Sequence, residues 1–403
     1  MIEQACDICI VGGGPAAMMA ALLFARAGLS VTIVEKHGDF LRDFRGDTIH
    51  PSTLDLFDEL GLFDTLLALP HDKVRAVGAT IAGRAYRVAD FTHLPGRGRF
   101  IAMMPQWHFL DFVAGQAKAY SGFRLLMQTE ACDLLEEDGR VAGVVTGSGK
   151  RIGARLVIAA DGRGSRVREL AGLPLEDLGA PIDVFWFRMP APPAAENRTH
   201  AYVGPGEMVV VIDRRDYFQC ARVIRKGSAD AVRARGLACF RQDVAAAAPP
   251  LRDLIDAVAS WDEIKLLSVS LDRLTRWHRP GLLAIGDAAH AMSPVGGVGI
   301  NLAIQDAVAA ANILAAPMRA GTNADGLLQR VQDRRSMPVR MIQRLQRAAH
   351  RRVLGAALDG RQVSAPALLK VLDRVPALQR LPARVIGLGI RREHIRSPNA
   401  RLT

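Results

Sequence analysis

The first 35 residues set apolar runs against glycine in a way that specifies three elements. Cys6 to Val11 is an apolar run broken only by Asp7, of a length that suits a buried strand. Gly12-Gly13-Gly14 follows, and Pro15 to Ala27 continues with few polar residues as a buried helix. Pro15 suits the first helical turn because its missing N–H would have no helical partner there, and Gly28 suits the position after the last turn. Leu29 to Val34 is the next strand, closed by Glu35, which completes a βαβ unit.

Farther along, the pattern predicts helices over Pro51 to Leu60, Met104 to Tyr120 and Asn301 to Leu314, and strands over Arg140 to Val145, Ala154 to Ala160 and Leu282 to Ile285. Between these lies a β-rich stretch. Ile182 to Met189, Met208 to Asp213, Tyr217 to Ile224 and Ile264 to Leu271 are rich in β-branched and aromatic residues, and Val77 to Phe91 reads as a hairpin turning near Gly83. Beyond Arg319 the pattern is helical, with breaks at Pro338, Gly355, Gly360, Pro366, Pro376 and Pro382. The predicted class is α/β: a discontinuous Rossmann-like domain (1–73, 100–180 and 275–318), an inserted β-rich domain (74–99 and 181–274), and a helical C-terminal segment (319–403). A chain of 403 residues is long enough for two or three such units.

Three stretches carry chemistry. The first glycine turn reads G-x-G-x-x-A: Gly12 makes the tight turn, Gly14 lets the backbone approach a pyrophosphate, and Ala17 permits close helix–strand packing. Pro15 and Ala16 open the helix whose free N–H groups and dipole favour phosphate, and Glu35, with Lys36 beside it, is placed to accept bonds from a ribose diol. The second stretch ends an apolar strand in Asp161-Gly162 and turns through Ser165 and Arg166 into a helix. The third delivers Gly286-Asp287 from a short strand, and a glycine-rich loop with Pro294 then opens a helix at Gly299, Ile300 and Asn301. Asp287 can bond a polyol hydroxyl, and the helix N–H groups can face a delocalised anion such as reduced flavin.

In this order the three stretches resemble the class A flavoprotein monooxygenases typified by para-hydroxybenzoate hydroxylase, over most of residues 1–315. The resemblance implies an FAD-binding domain, FAD as cofactor, and NADH or NADPH as a transient co-substrate with no Rossmann motif of its own. It implies hydroxylation of a small aromatic or quinone-like substrate by dioxygen through a flavin C4a-hydroperoxide. It assigns Asp287 to the ribityl chain, Asp161 and Arg166 to cofactor contacts, and Gln106 and Arg45 to flavin contacts. Arg45 and Pro294 are then the flavin-adjacent candidates; no catalytic base is implied, though His93, His200 and His278 could ionise a phenol, and His290 reads as structural. Strand alternation offers Phe185, Phe187, Val211, Tyr217, Arg222 and Ile224 as substrate-pocket residues, with Arg222 a partner for a substrate carboxylate. An FAD-dependent dehydrogenase or reductase of a lipophilic substrate, and a non-oxygenating flavin-binding scaffold, are the rival readings.

Charge alters the picture at one end only. Residues 319–403 hold 18 Lys and Arg against 5 Asp and Glu, whereas the remainder holds 34 against 36. Arg340, Arg344, Arg347 and Arg351 recur on one helical face, with Met341, Ile342, Leu345, Ala348 and Ala349 largely on another. This predicts a helix packed on the body with a solvated arginine face, and leaves open a peripheral contact with the inner face of a membrane. No nucleic-acid reader motif accompanies the charge. Cys6 and Cys9 form a C-x-x-C inside a predicted strand without a second pair, so neither a metal site nor a disulfide framework is expected, and a cytoplasmic setting is. The apolar stretch Leu302 to Met318 carries Gln305, Asp306 and Asn312, and no membrane span is expected.

Overall fold

A computed structural model describes residues 4–41, 47–192, 199–204, 206–214, 216–351 and 365–401. The N-terminal unit forms as the pattern requires: strand β1 (Gln4–Val11), helix α1 (Pro15–Arg26) and strand β2 (Val31–Val34). α1 is buried almost all round, which is why its sequence lacks a polar stripe. The parallel core of the sheet runs, in spatial order, Leu282–Ala284, Arg151–Ala159, β1, β2 and Phe123–Leu126. Arg151–Ala159 is long enough to pair with β1 along one edge and, near its start, antiparallel with Arg140–Thr146 on the other.

Register puts four strand ends in line. Val11 lies opposite both Val34 and Ala159, and Ala159 opposite Ala284. Gly12, Glu35, Asp161 and Asp287 therefore leave the same edge of the sheet, the carboxyl edge where ligands of doubly wound folds bind. Helix Gly299–Arg319 crosses α1 beneath that edge. The crossing is close because Gly286 (φ +61°) presents no side chain: a Cβ there would lie 3.1 Å from Ala16 Cβ and 3.2 Å from Ala303 Cβ. Among the described residues this helix alone is long and apolar enough to cross a membrane, but 72% of its apolar window is buried inside the structure.

The second sheet has seven strands in the order Lys265–Ser268, Ile182–Pro190, Tyr217–Arg225, Glu207–Asp213, His200–Gly204, Ala76–Ile81 and Arg84–Asp90. The hairpin near Gly83 thus joins strands that follow it by more than a hundred residues. One face of this sheet is covered by helix Leu237–Ala247 and the short turns after it; Phe185, Phe187, Val209, Val211, Cys220 and Ile224 pack there with Phe240 and Val244. The other face carries Val184, Trp186, Val210, Ala221 and Val223, which gather with Val295 from the glycine-rich loop.

The C-terminal segment supplies helices Leu328–Ala349, Ala367–Arg374 and Arg380–Gly387. The first of these departs from the expected amphipathic phase. Its buried face is Val331, Gln332, Arg335, Pro338, Val339, Ile342, Gln343 and Gln346, while Met341 and Leu345 are exposed beside Arg340, Arg344 and Arg347. Polar side chains win the inner face because each finds a buried partner. Gln332 holds the backbone of Thr275 and Trp277, Gln343 that of Asp272, and Gln346 that of Ser293 and Val295. Arg335 reaches the fully buried Asp306 at 2.9 Å and also lies against Glu393. Asp306 in turn accepts from His290 at 2.6 Å and from the Gly286 N–H at 3.1 Å. Burial alone would push the Asp306 carboxyl up, but His290 and Arg335 together hold it below the usual carboxylate range.

Candidate functional site

The glycine turn after β1 holds two glycines for opposite reasons. At Gly12, φ is +103° and a Cβ would lie 2.5 Å from the Ala160 carbonyl oxygen, so the backbone of the neighbouring strand excludes any side chain. At Gly14 the conformation is ordinary and a Cβ would meet nothing within 4 Å. That open space lies over the first turn of α1, which has no side-chain cap and Pro15 in its first turn, so its leading N–H groups are free for an anion. Ala16 is buried behind it. Glu35 closes the turn: its carboxylate accepts from Gly13 N–H at 2.6 Å and His37 N–H at 2.9 Å. Lys36 points to solvent.

Asp161 serves its own turn. It accepts from Ser165 Oγ at 2.5 Å and Val167 N–H at 3.2 Å, while Ser165 caps Arg168 N–H at 3.0 Å. Burial raises its pKa against these bonds. Arg166 is largely exposed, and its guanidinium lies 3.7 Å from Glu169. Asp287 is held by Arg163, whose Nε donates to it at 3.1 Å. Among the described residues the Arg163 Nη1 is buried without a partner, so this guanidinium has a donor to spare beside the candidate polyol site. The sequence offered no signal for Arg163 beyond its place in the Asp-Gly turn.

The glycine-rich loop sits against both sheets. Pro294 and Val295 are half-buried, and the Gly297 carbonyl accepts from Thr48 Oγ at 3.0 Å. Helix Gly299–Arg319 also starts without a side-chain cap, leaving the N–H groups of Gly299, Ile300 and Asn301 available at its mouth. The Asn301 side chain looks the other way, accepting from Ser52 and Thr53 hydroxyls at 2.7 and 2.8 Å. Gln106 is buried at the start of helix Gln106–Lys118. Arg45 lies outside the described residues.

Five of the six residues expected to line the pocket are corrected. Phe185, Phe187, Val211, Arg222 and Ile224 face helix Leu237–Ala247, not the glycine-rich loop. Arg222 is paired there with Glu207 and Asp243, at 2.7 and 2.6 Å, over the Phe240 ring. Alternation gives a period of two but not its phase, and the more aromatic face proved to be the one that packs against helices. Tyr217 is on the opposite face, with the Arg188 guanidinium 5.1 Å from its ring centre. The histidine candidates are also elsewhere. His93 is exposed, His200 pairs with Thr80 at 2.9 Å, and His278 pairs with Gln329 at 2.9 Å.

Sequence reasoning missed a polar cluster at the end of the loop-facing side of the second sheet. Arg214 donates from Nε and Nη2 to Gln219 Oε1, at 3.3 and 3.0 Å, and from Nη2 to Asp47 Oδ2. Asp47 Oδ1 accepts from Gln106 N–H at 3.3 Å. Arg188 lies opposite Gln219 in the sheet. Nothing in the local sequence pairs residue 47 with residue 214; only the closure of the sheet over the loop does.

Two uncapped helix N-termini, an open space at Gly14 and a spare buried guanidinium donor at one sheet edge define a dinucleotide site of the kind FAD requires, and the residues present fit that cofactor. Residues 5–345 match the family described as FAD binding domain, and the chain belongs to that family. It is similar to the 6-methylpretetramide 4-monooxygenase of Streptomyces rimosus, 34% identical over 387 residues, covering 94% of this chain and 91% of that protein. It is also similar to the dialkyldecalin synthase of Streptomyces rugosporus, at 25% identity over 75% of this chain and 63% of that one. In fold it matches P. aeruginosa PqsL, solved in complex with 2-aminobenzoylacetate, with a TM-score of 0.77 at 22% identity, covering 89% of this chain and 99% of that one. The protein is an FAD-dependent oxidoreductase of the monooxygenase kind.

Proposed function

We propose that this enzyme hydroxylates a phenolic polycyclic substrate of the 6-methylpretetramide type, using NADH or NADPH and dioxygen. The observation that carries this reading is the apolar face of the second sheet meeting the glycine-rich loop. Val184, Val210, Ala221 and Val223 gather there with Val295, beside the helix mouth where the flavin ring would rest. FAD, when bound, would supply the redox chemistry that couples nicotinamide oxidation to the addition of one oxygen atom of dioxygen to the substrate. The chain's own work is to bind, orient and keep dry. The N–H groups opening α1 and the Gly14 space would receive the pyrophosphate, Arg163 and Asp287 the ribityl hydroxyls, and the N–H groups of Gly299 to Asn301 the electron-rich edge of the flavin.

The test is purified enzyme with 6-methylpretetramide, following NADH and NADPH oxidation together with oxygen uptake. The expected product is heavier by one oxygen atom, with consumption of reductant and oxygen coupled to it. Bound FAD with no substrate-stimulated oxygen uptake would refute the reading. In that event the reading of the chain as a flavin-binding scaffold that does not oxygenate takes its place.

A further inference from the structure

The polar cluster missed by the sequence has the parts of an acid–base site. Asp47 is mostly enclosed: its side chain keeps 13% exposure, that of Arg214 5%. Burial pushes the Asp47 carboxyl above its ordinary range, against the opposing pull of Arg214, the Gln106 N–H and Arg188. These groups come from three elements: the turn at 214, the start of helix Gln106–Lys118, and strand Ile182–Pro190. A carboxylate shifted upward is a better base toward a phenol or enol than a solvated one.

The arginine beside it is incompletely used. Nε and Nη2 are spent on Gln219 and Asp47, but Nη1 is buried and has no hydrogen-bond partner among the described residues. A buried charged donor without an acceptor is costly to retain, so an arrangement that keeps one invites an incoming oxygen. The cluster also borders the flavin site. Thr48, next to Asp47, holds the Gly297 carbonyl, and the Asp47 carbonyl accepts from Met104 N–H at 2.9 Å. Its polar end adjoins the apolar wall of Val184, Ala221 and Val223 through the shared face of the sheet. A ring lying on that wall would present one oxygenated edge to Asp47 and Arg214.

We propose that Asp47 is the base that removes the proton from an acidic hydroxyl of the substrate ring, and that Nη1 of Arg214 holds the oxygen left behind. The inference rests on the proposed phenolic substrate. The O–H bond breaks, its proton passes to the Asp47 carboxylate, and the electron pair stays on the oxygen, where it makes the ring more reactive toward electrophilic oxygen. After oxygen transfer the proton returns to that oxygen, so Asp47 is regenerated without an added co-reactant.

Two measurements test this on FAD-loaded enzyme. In the first, alizarin, a three-ring phenol whose ionised form is coloured, is titrated into oxidised enzyme at a pH where free alizarin is neutral. The wild type is expected to bind it in the ionised, coloured form. Asp47→Asn is expected to leave it neutral, Asp47→Glu to restore the colour, and Arg214→Met to weaken binding about tenfold or more. Failure of the wild type to ionise alizarin, or equal ionisation by Asp47→Asn, overturns the proposal. Flavin content and thermal unfolding of each variant separate loss of the base from loss of the fold, and Asp47→Glu decides the matter where the asparagine variant does not fold. In the second, turnover of 6-methylpretetramide by Asp47→Asn is expected to fall by roughly 10²–10⁴ in kcat, with the deficit shrinking as rising pH ionises the substrate in solution. Equal turnover by the variant overturns the base and leaves the proposed function standing. No turnover by the wild type overturns that function, while the alizarin titration still decides the base.

Discussion

Gly12 and Gly14 are two residues apart and predict opposite consequences for one added methyl group. At Gly12→Ala the methyl would press 2.5 Å from the Ala160 carbonyl oxygen, on a backbone with φ of +103°. Strain and backbone displacement together should cost about 3 kcal/mol or more, so the variant should lose stability with or without cofactor. At Gly14→Ala the conformation is allowed and no atom lies within 4 Å of the new Cβ. Alanine is a poorer N-cap than glycine but also restricts the unfolded chain, and the two effects should leave apo stability within about 1 kcal/mol of wild type. The methyl would instead stand where a pyrophosphate must approach the N–H groups of α1. Losing one charge-assisted bond there costs about 1.5–3 kcal/mol, or roughly 10- to 150-fold in FAD affinity. Urea unfolding of the apo forms and flavin-fluorescence titration measure the two quantities separately. A Gly14→Ala protein that binds FAD as tightly as wild type would refute the placement of the phosphates.

Other expectations follow from where charges are buried. Arg335→Met strands the Asp306 carboxylate and should cost about 3–5 kcal/mol in urea unfolding, whereas exposed Arg344→Gln on the same helix should change stability by no more than about 0.5 kcal/mol; similar losses in both would show that the buried pair is not special. Because the folded-state pKa of Asp306 is depressed, its contribution is present above the unfolded pKa of about 3.9 and is lost as pH falls through the lower folded value, so Asp306→Asn should flatten the acid limb of a stability–pH profile below about pH 4; an unchanged limb would count against the network. Arg222→Met should lower stability, by abandoning Glu207 and Asp243, yet leave the substrate KM unchanged in the folded enzyme; a raised KM at unchanged stability would return Arg222 to the substrate side.

The elements tied to a local chemical signal were legible in the sequence, and those set by tertiary closure were not. β1, α1 and β2 follow from an apolar run, three glycines and a proline, since each of those residues restricts the backbone by its own chemistry. The hairpin near Gly83 was visible for the same reason, but its partner strand His200–Gly204 was not, because pairing over such a separation leaves no local mark. The basic helix shows the limit from the other side. Its charge periodicity was read correctly, yet hydrophobicity alone put Met341 and Leu345 inside, where the structure prefers Gln332, Gln343 and Gln346. Those amides are buried because unpaired backbone groups of the Gly-Asp region need partners, a demand that appears only once the helix has docked. The inserted sheet repeats the lesson at the site itself. A strand with apolar residues on both faces carries no intrinsic sign of which face meets a helix and which meets a loop. Alternation offered Phe185 and Phe187 as pocket residues, but their aromatic bulk is what fills the sheet–helix core. The loop-facing side carries Trp186 but otherwise smaller residues, Val184, Val210, Ala221 and Val223, and ends in Arg214, Gln219 and Asp47. A face that must admit a ligand cannot be packed as fully as one that need not, so within such a sheet the less bulky alternation is the better first choice for the pocket.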